Sequence, residues 1–525
     1  MADVKGMFRS QRTAELPPRR RYRLWIAGWL MLACIAVPAS ADPLWLDPLG
    51  RPAASARDAL RLLADAGSDG LAPQDYRVDE LSARAVALDA APGTADALRF
   101  ERDLGEAMRR FVHDLHVGRV DPRSVGFQVA RPRDAEPLGS LLDKAVSSGR
   151  LPELIGELRP RFEQYAQLHS ALARYRALAA EAAWTPLRVN TPLKPGERSD
   201  SAVDVRRRLV ALGDVPADSN SEGMQYDAAL AQAVGRFQSR HGLPVDGVIG
   251  RATLASLNVP LTSRVHQIEL AMERLRWLPA PGSQPLVGIN IPMFRLWAYD
   301  PARSAEPPLG MGVVVGRALN TRTPVLSAEI RHLIFRPYWT VPRSIVRNEL
   351  LPALARDPGY LARHDMEIVR GPGDDAEIVP QSSESLSELR LGALRVRQRP
   401  GPKNSLGLVK FIFPNAADVY LHATPATELF GRARRDFSHG CVRVEDPVAL
   451  ARWLLQDQNQ WSRERITQAM AGTAPLRVEL TRPVPVVLFY MTAMSMPEDH
   501  ALHFADDLYG HDARLTRVLA MRRMR

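Results

Sequence analysis

Only two of the 525 residues are cysteine, Cys34 and Cys441. Cys34 lies in an N-terminal apolar run, so the rest of the chain holds a single thiol and can form no internal disulfide. Its folded units must therefore be held by apolar cores. An apolar content of 46% with 24% charged residues permits this. At roughly 100–200 residues per domain, the length allows about three units. A lone thiol is either a small buried hydrophobe or a reactive group with a reason to be there. Its sequence neighbours decide between the two.

The N-terminus reads as a leader. Arg19, Arg20, Arg21 and Arg23 form a basic cluster, residues 24–37 are uncharged and mostly apolar, and Ala39-Ser40-Ala41 offers small residues before Asp42. That order is the pattern of a secretory signal. The apolar run is short for a span, which needs about 20 residues. Residues 1–41 are thus expected to be a cleaved signal peptide and the chain to be exported. Retained, they would tether it to a membrane. The leader holds seven Lys/Arg and two Asp/Glu, so the net charge of +10 falls to +5 without it. With no long basic run interleaved with aromatics, nucleic acid is excluded as the expected partner. A mild positive balance suits an acidic wall or membrane surface.

Past the leader the chain changes character twice. Residues 42–185 have helical spacing over 53–66, 95–116 and 151–184, broken by Asp69-Gly70, Pro73 and Asp121-Pro122. Prolines 186, 192 and 195 mark a linker. Residues 186–260 follow as a compact unit with helices over 203–212 and 226–241. Its Phe237-Gln238 pair and the glycine-bracketed turn from Gly242 to Gly250 resemble a three-helix peptidoglycan-binding domain. Residues 261–285 read as a linker helix. From residue 286 short strands dominate: 287–291, 295–299, 311–315, 329–335, 409–413 and 418–422. Residues 343–398 interrupt them with a helical stretch and a Gly/Asp/Ser-rich loop. A helix over 447–455 and an apolar strand over 484–492 follow. A β-rich unit is placed at 286–480. Residues 481–525 are assigned a strand and a tail, with Arg522, Arg523 and Arg525 as a solvated end.

The chemistry gathers at Ser438-His439-Gly440-Cys441-Val442-Arg443. A thiolate is the nucleophilic form of cysteine, and a neighbouring imidazole or backbone dipole is what lowers a thiol pKa. Gly440 permits a sharp turn. Backbone N–H groups there could face a developing oxyanion, each worth roughly 10²–10³ in rate. A second histidine, His422, ends an expected strand. Strand pairing can bring it against the segment that bears Cys441.

These residues resemble the L,D-transpeptidase family with its YkuD-type catalytic domain. Ser438 through Arg443 matches the family string, and His422 stands 19 residues before the cysteine. Gly288-Ile289-Asn290-Ile291-Pro292, Val313-Val314-Val315-Gly316-Arg317, Thr323-Pro324-Val325 and Pro337-Tyr338-Trp339-Thr340-Val341-Pro342 support it. Asp69-Gly70-Leu71, the segment His113 to Pro122, and Ala271 to Pro279 are similar to the large YcbB-like subgroup. The resemblance implies a multidomain α+β chain. A helical scaffold and a three-helix wall-binding domain would join a β-sandwich-like catalytic domain with a helical lid at 343–398. It also implies Cys441 as nucleophile and His422 as base. Ser438, His439, Gly440, Arg443 and Tyr420 would orient the site and its oxyanion, and Tyr338 and Trp339 would touch substrate. Cys441 would take the acyl group of a tetrapeptide stem, release D-Ala and pass the acyl group to another stem as a 3→3 cross-link. The partners would be peptidoglycan stems and glycan, in the periplasm at the wall. No cofactor is implied.

Two other readings share these residues: a non-catalytic wall-binding scaffold, and an L,D-carboxypeptidase that passes the acyl group to water. The complete motif argues against the first. His113 with His116, and His500, His503 and His511 near acidic residues, form no full metal-ligand pattern and are expected to be structural or solvated.

Overall fold

The computed structural model describes residues 43–129, 136–181, 184–190, 192–216, 223–279, 282–319 and 321–523. The leader assigned to residues 1–41 lies outside the described residues, as does Cys34. Among the described residues no helix is long and apolar enough to cross a membrane.

The helix Thr94–His116 carries Phe100, Leu104, Met108, Phe111 and Leu115, each almost fully buried. The spacing of three and four residues makes one apolar stripe. Around that stripe pack the helices Ala54–Ala64, Val78–Ala90, Leu138–Ser147 and Leu151–Leu158. The next helix, Glu163–Glu181, was expected with this bundle but leaves it. Its Tyr165, Leu168, Leu172 and Tyr175 share a second core with the helix Leu261–Leu275 and with residues 193–257.

That second core contains the helices Asp200–Leu212, Ala228–Arg240 and Arg251–Leu257. Ser199 and Asp227 cap the first two through side-chain oxygens, and Gly213 closes the first at φ +84°. Gln238 is buried and holds the turn that follows. Its amide N–H donates to Asp246 Oδ1 at 2.7 Å and to the Val248 carbonyl at 3.0 Å, while its oxygen accepts from Gly247 N–H at 2.9 Å. One side chain therefore satisfies the polar groups of a turn that would otherwise be buried unpaired.

The last large core is β-rich. Strands β1 (Leu286–Asn290), β2 (Arg295–Tyr299), β3 (Leu309–Gly316) and β4 (Leu326–Phe335) enter it in sequence. Next come β5 (Trp339–Thr340), β6 (Met366–Arg370), β7 (Glu377–Val379) and β8 (Arg395–Gln398), which lie at the insertion. The main sheet resumes with β9 (Val409–Ile412), β10 (Leu421–His422), β11 (Asp436–Ser438), β12 (Val442–Val444) and β13 (Leu476–Phe489). A hairpin of β14 (Ala493–Ser495) and β15 (Leu502–Phe504) follows. The main sheet has nine strands in the order β11-β3-β12-β10-β9-β4-β13-β1-β2, and β2 also pairs with β3. Eight strands therefore form a closed ring around Val287, Ile289, Val313, Leu333, Phe411, Leu421 and Val442. A two-sheet sandwich was expected. A single sheet that closes on itself is found, and closure removes the free edges.

Two further expectations are corrected. The insertion at 343–398 is a mixed α/β unit, not a helical lid. Its strands form a four-stranded sheet, β5-β8-β6-β7, and Val341, Ile345, Leu350, Leu361, Ile368, Leu389 and Val396 form its own core. The Gly/Asp/Ser-rich stretch is the β6–β7 hairpin turn, with Gly371 and Gly373 at positive φ, followed by the helix Ser383–Leu391. The C-terminal arginines are not a solvated end either. Arg522 and Arg523 sit on the helix His511–Arg523, where Arg522 donates to Asp114 at 2.6 Å and Arg523 meets Asp75 at 3.2 Å; Arg525 lies outside the described residues. Asp114 is fully buried, so its charge needs this partner.

The helix Leu261–Leu275 is the joint between these parts. Glu273, with no exposed surface, accepts from Arg119 Nε at 3.0 Å, from Arg119 N–H at 2.6 Å and from Arg276 at 3.1 Å. Arg276 in turn donates to Tyr165 Oη at 2.8 Å and to the Asp69 carbonyl. A Cβ on Gly118, at φ +94°, would lie 2.7 Å from Trp277 Nε1, so only glycine lets these two segments meet. Burial pushes the Glu273 carboxyl up, but the Arg119 and Arg276 charges override it and hold the carboxyl below its ordinary 4.5. Its contribution is therefore complete above that value and is lost as pH falls through the folded pKa. Glu273→Gln leaves two buried guanidinium groups short of a partner. We expect it to cost roughly 3–5 kcal/mol in urea unfolding near neutral pH, with the gap to wild type closing on acidification. Equal stabilities near neutral pH would show that Glu273 does not hold the joint.

Candidate active site

The segment around Cys441 is shaped by a crossing. β11 runs parallel along one edge of β3, and β12 runs antiparallel along the other. Residues 439–441 must carry the chain around the end of β3 in three residues. Gly440 makes this turn at φ +117°, a conformation that side chains rarely adopt. Gly316 ends β3 below it, where a Cβ would lie 1.9 Å from the Thr321 carbonyl.

A set of hydroxyls pins the turn. Ser438 Oγ donates to the Cys441 carbonyl and accepts from Gly440 N–H at 3.1 Å. Thr321 Oγ1 donates to the Ser438 carbonyl at 3.1 Å, and Thr323 Oγ1 to the Gly440 carbonyl at 2.8 Å. Tyr509, some 70 residues downstream, donates to the Gly316 carbonyl at 2.6 Å and accepts from Thr323 N–H at 3.3 Å. Ser438 is thus part of the scaffold of the turn. The Gly440 N–H, expected to face an oxyanion, is already given to Ser438.

β10 lies between β9 and β12, and the register is informative. His422 pairs with Arg443 on one side and with Lys410 on the other. Leu421, Val442 and Phe411 form the neighbouring row and point into the core, all fully buried. Successive residues alternate faces, so Lys410, His422 and Arg443 share the outer face. Two residues back along β10 and β12, Tyr420 and Cys441 occupy the same face, with Val442 N–H donating to the Tyr420 carbonyl at 3.1 Å. His422 is therefore diagonal to Cys441, and Tyr420 is its direct neighbour.

The protonation states follow from these surroundings. His422 Nδ1 stands 2.6 Å from the Ala423 carbonyl. A carbonyl only accepts, so this contact is kept by a proton on Nδ1; the ring also bonds the Leu406 backbone. Burial and then the Arg443 charge pull the His422 pKa down to about 3. Burial pushes the Cys441 thiol up, although Tyr420 favours the thiolate through its backbone and side chain. Both shifts favour the neutral forms, a thiol and an imidazole, although a lowered thiol pKa was expected.

The other expected residues fall in two places. Arg443 is half-buried, forms no ion pair among the described residues, and has an Nε without a hydrogen-bond partner. His439 points away from the row: its Nε2 meets Glu349 Oε1 of the insertion at 2.7 Å. Tyr338 and Trp339 lie at the root of the insertion. Trp339 pairs with Gln398 and packs against the insertion core, and the Arg397 guanidinium lies 4.3 Å above the Tyr338 ring. Of the remaining histidines, His503 bonds Asp499 at 2.9 Å and His511 sits edge-on to Phe127 and Tyr490.

Sequence reasoning passed over Thr321, Tyr509, Lys410 and Glu349. Thr323 was noticed only as part of a similar string. Lys410 had a signal, a lone cation inside the apolar stretch 408–413. Tyr509 and Glu349 had none, because both reach the turn from distant parts of the chain.

Parts of the chain are similar to known proteins. Residues 284–486 match the family described as "L,D-transpeptidase catalytic domain" (YkuD). Residues 198–257 match "Putative peptidoglycan binding domain", and residues 39–172 match "Scaffold domain". A Haemophilus influenzae protein named "Putative L,D-transpeptidase" is 31% identical over 268 residues, which are 50% of this chain and 53% of that protein. The chain thus spans about half the length of that relative. The Mycobacterium tuberculosis N-acetylmuramoyl-L-alanine amidase CwlM is 39% identical over 72 residues, 12% of this chain and 18% of its own length. Among solved structures, an L,D-transpeptidase fragment from Xylanimonas cellulosilytica shows 16% identity and a TM-score of 0.18, over 57% of this chain and 99% of that one. By these family matches, residues 284–486 carry an L,D-transpeptidase catalytic domain of the YkuD family and residues 198–257 a peptidoglycan-binding domain.

Proposed function

We propose that the protein is an exported cysteine L,D-transpeptidase that joins peptidoglycan stems by 3→3 cross-links in the periplasm. The observation that carries this reading is the shared outer face of β10 and β12. It holds a thiol, an imidazole whose Nδ1 faces the Ala423 carbonyl, and two cations without an ion pair among the described residues. A neutral imidazole is a proton acceptor, and a buried thiol is kept from idle ionisation until a base takes its proton.

Cys441 Sγ attacks the carbonyl of the diamino acid at stem position 3, and the thiol proton passes to His422. The C–N bond to D-Ala then breaks, and His422 returns the proton to the departing amine. The product is a thioester on Cys441. An amine from a second stem attacks that thioester, losing its proton to His422. The new amide forms as the C–S bond breaks, and the thiol is regenerated. With Gly440 N–H given to Ser438, the Cys441 N–H is the backbone donor left for the oxyanion, a contact worth roughly 10²–10³ in rate. Arg443 braces the face beside it, and Tyr420 holds the sulfur from the neighbouring strand. We assign the insertion the role of a cap over the donor stem, with Tyr338 and Trp339 at its root and the Glu349–His439 pair as its contact with the cysteine turn. The peptidoglycan-binding domain would hold the enzyme at the wall.

Three outcomes follow. A carbapenem should add one covalent adduct to wild type and none to Cys441→Ser, read by intact mass spectrometry; an adduct that survives in the variant places the nucleophile elsewhere. His422→Ala should slow acylation by about 10²–10⁴ near neutral pH, while His439→Ala, which loses a partly exposed pair, should act mainly on substrate KM. The opposite ranking would reverse the two roles. Finally, because the thiol is raised above its ordinary 9.0, alkylation of Cys441 by iodoacetamide should still be rising at about pH 9. A plateau reached by about pH 7 would mean a preformed thiolate–imidazolium pair.

A further inference from the structure

Two of the three side chains in the row Lys410–His422–Arg443 are cations without a counter-ion. Among the described residues neither Lys410 nor Arg443 forms an ion pair. Asp374 and Asp418 act on Lys410 only through space, and Glu428 does the same on Arg443. The Lys410 ammonium lies 5.9 Å from the centre of the Tyr420 ring, which itself borders Cys441. Arg443 Nε is buried with no acceptor. Both groups also feel the Cys441 sulfur electrostatically.

Both cations are half-buried and partly desolvated, so an anion reaching them would be favoured. Two positive charges flank one imidazole across adjacent strands, and both contribute to keeping that imidazole neutral. Burial also pulls the Lys410 ammonium down from its ordinary value. Several buried cations elsewhere are paired, Arg119 and Arg276 with Glu273, Arg240 with Asp214 and Arg397 with Glu367, whereas Arg208 and Arg264 bond neutral oxygens instead; Lys410 and Arg443 face the thiol with neither kind of partner complete. An unpaired buried charge is normally balanced by a partner. At this face the partner would have to come from the ligand.

We propose that Lys410 and Arg443 form a carboxylate-binding site for the donor stem, and that the protein selects stems with a free carboxylate next to the bond that breaks. This rests on the reading of Cys441 as the acylated residue. A tetrapeptide stem offers two such groups close to that bond: the terminal carboxylate of the leaving residue and the free carboxylate of the diamino acid. Binding either one lowers the row's net charge from +2 to +1 and weakens the field that disfavours protonation of His422. The donor's own carboxylate would then make His422 a better base at the moment it is needed. Lys410 is on this account a specificity-determining residue, invisible to a motif centred on the cysteine.

The test has two arms. The first needs no peptide. Alkylation of Cys441 is compared for iodoacetate, an anion, and iodoacetamide, its neutral analogue, in wild type, Lys410→Met and Lys410→Arg. The ratio of the two rates cancels any change in thiol ionisation. Lys410→Met should lower the iodoacetate-to-iodoacetamide ratio several-fold, and Lys410→Arg should restore it. An unchanged ratio in folded Lys410→Met overturns the proposal. The second arm uses the wild-type protein and tetrapeptides amidated at one carboxylate or the other. Amidation of the recognised group should raise KM by about 10- to 100-fold, the loss of a charge-assisted hydrogen bond, and identifies which carboxylate is held. Equal KM values for both amidated peptides and the free stem overturn the proposal. Failure of wild type to release D-Ala from any stem would instead count against the transpeptidase reading, and the alkylation ratio would still decide whether the row recognises a carboxylate.

Discussion

A carboxylate with no exposed surface, Glu273, sets how the parts of this chain meet. It lies on a helix between the scaffold bundle and the β-ring, and binds Arg119 from one and Arg276 from its own end. Around it, Asp69 takes Arg159 at 2.9 Å and Tyr165 at 3.1 Å, and Arg274 takes Asp512 at 2.5 Å. Charges buried this deeply are stable only when every partner is in place. The joint therefore admits one arrangement of helices, and that arrangement fixes the C-terminal helix whose preceding turn carries Tyr509. Tyr509 reaches the Gly316 carbonyl at the end of β3, the point around which the cysteine turn is built. The scaffold is thus coupled to the thiol by a short series of hydrogen bonds.

The site itself is built on strands more than on loops, which favours fixed geometry. β9, β10 and β12 deliver Lys410, His422 and Arg443 in register, and the turn from β11 to β12 delivers Cys441. Hydroxyls of Ser438, Thr321 and Thr323 occupy the carbonyls of that turn. The thiol is consequently held next to Tyr420 and diagonal to the His422 imidazole, whose pKa burial and Arg443 lower. Burial favours the neutral form of the Cys441 thiol, which is the less nucleophilic and less oxidisable form.

Much of this was legible in the sequence. The stripe from Phe100 to Leu115 has helical period, and most main-sheet strands announce themselves by apolar runs between turn residues. Cys441 and His422 stand out because a lone thiol beside Gly440 has little structural use. The limits are equally physical. Closure of the ring depends on β2 and β3 meeting, and no local pattern encodes it. The insertion sheet was missed because β6, β7 and β8 are short and carry Glu367, Arg370, Glu377, Arg395 and Arg397 among their apolar residues. The strand expected over 418–422 shrinks to two residues because Asn415 draws the backbone into a turn, accepting from Ala417 and Val419 N–H. Arg522 looked like a solvated charge because its partner, Asp114, lies 408 residues away.

The central claim is that Cys441 carries the acyl group from one stem to another. The most direct measurement incubates the purified protein with a defined disaccharide-tetrapeptide and separates the products by liquid chromatography and mass spectrometry. The account predicts released D-Ala together with a 3→3 cross-linked dimer, both absent from Cys441→Ser. Release of D-Ala that continues undiminished in Cys441→Ser would contradict it, and release from wild type with only tripeptide monomer would make water, not a second stem, the acceptor.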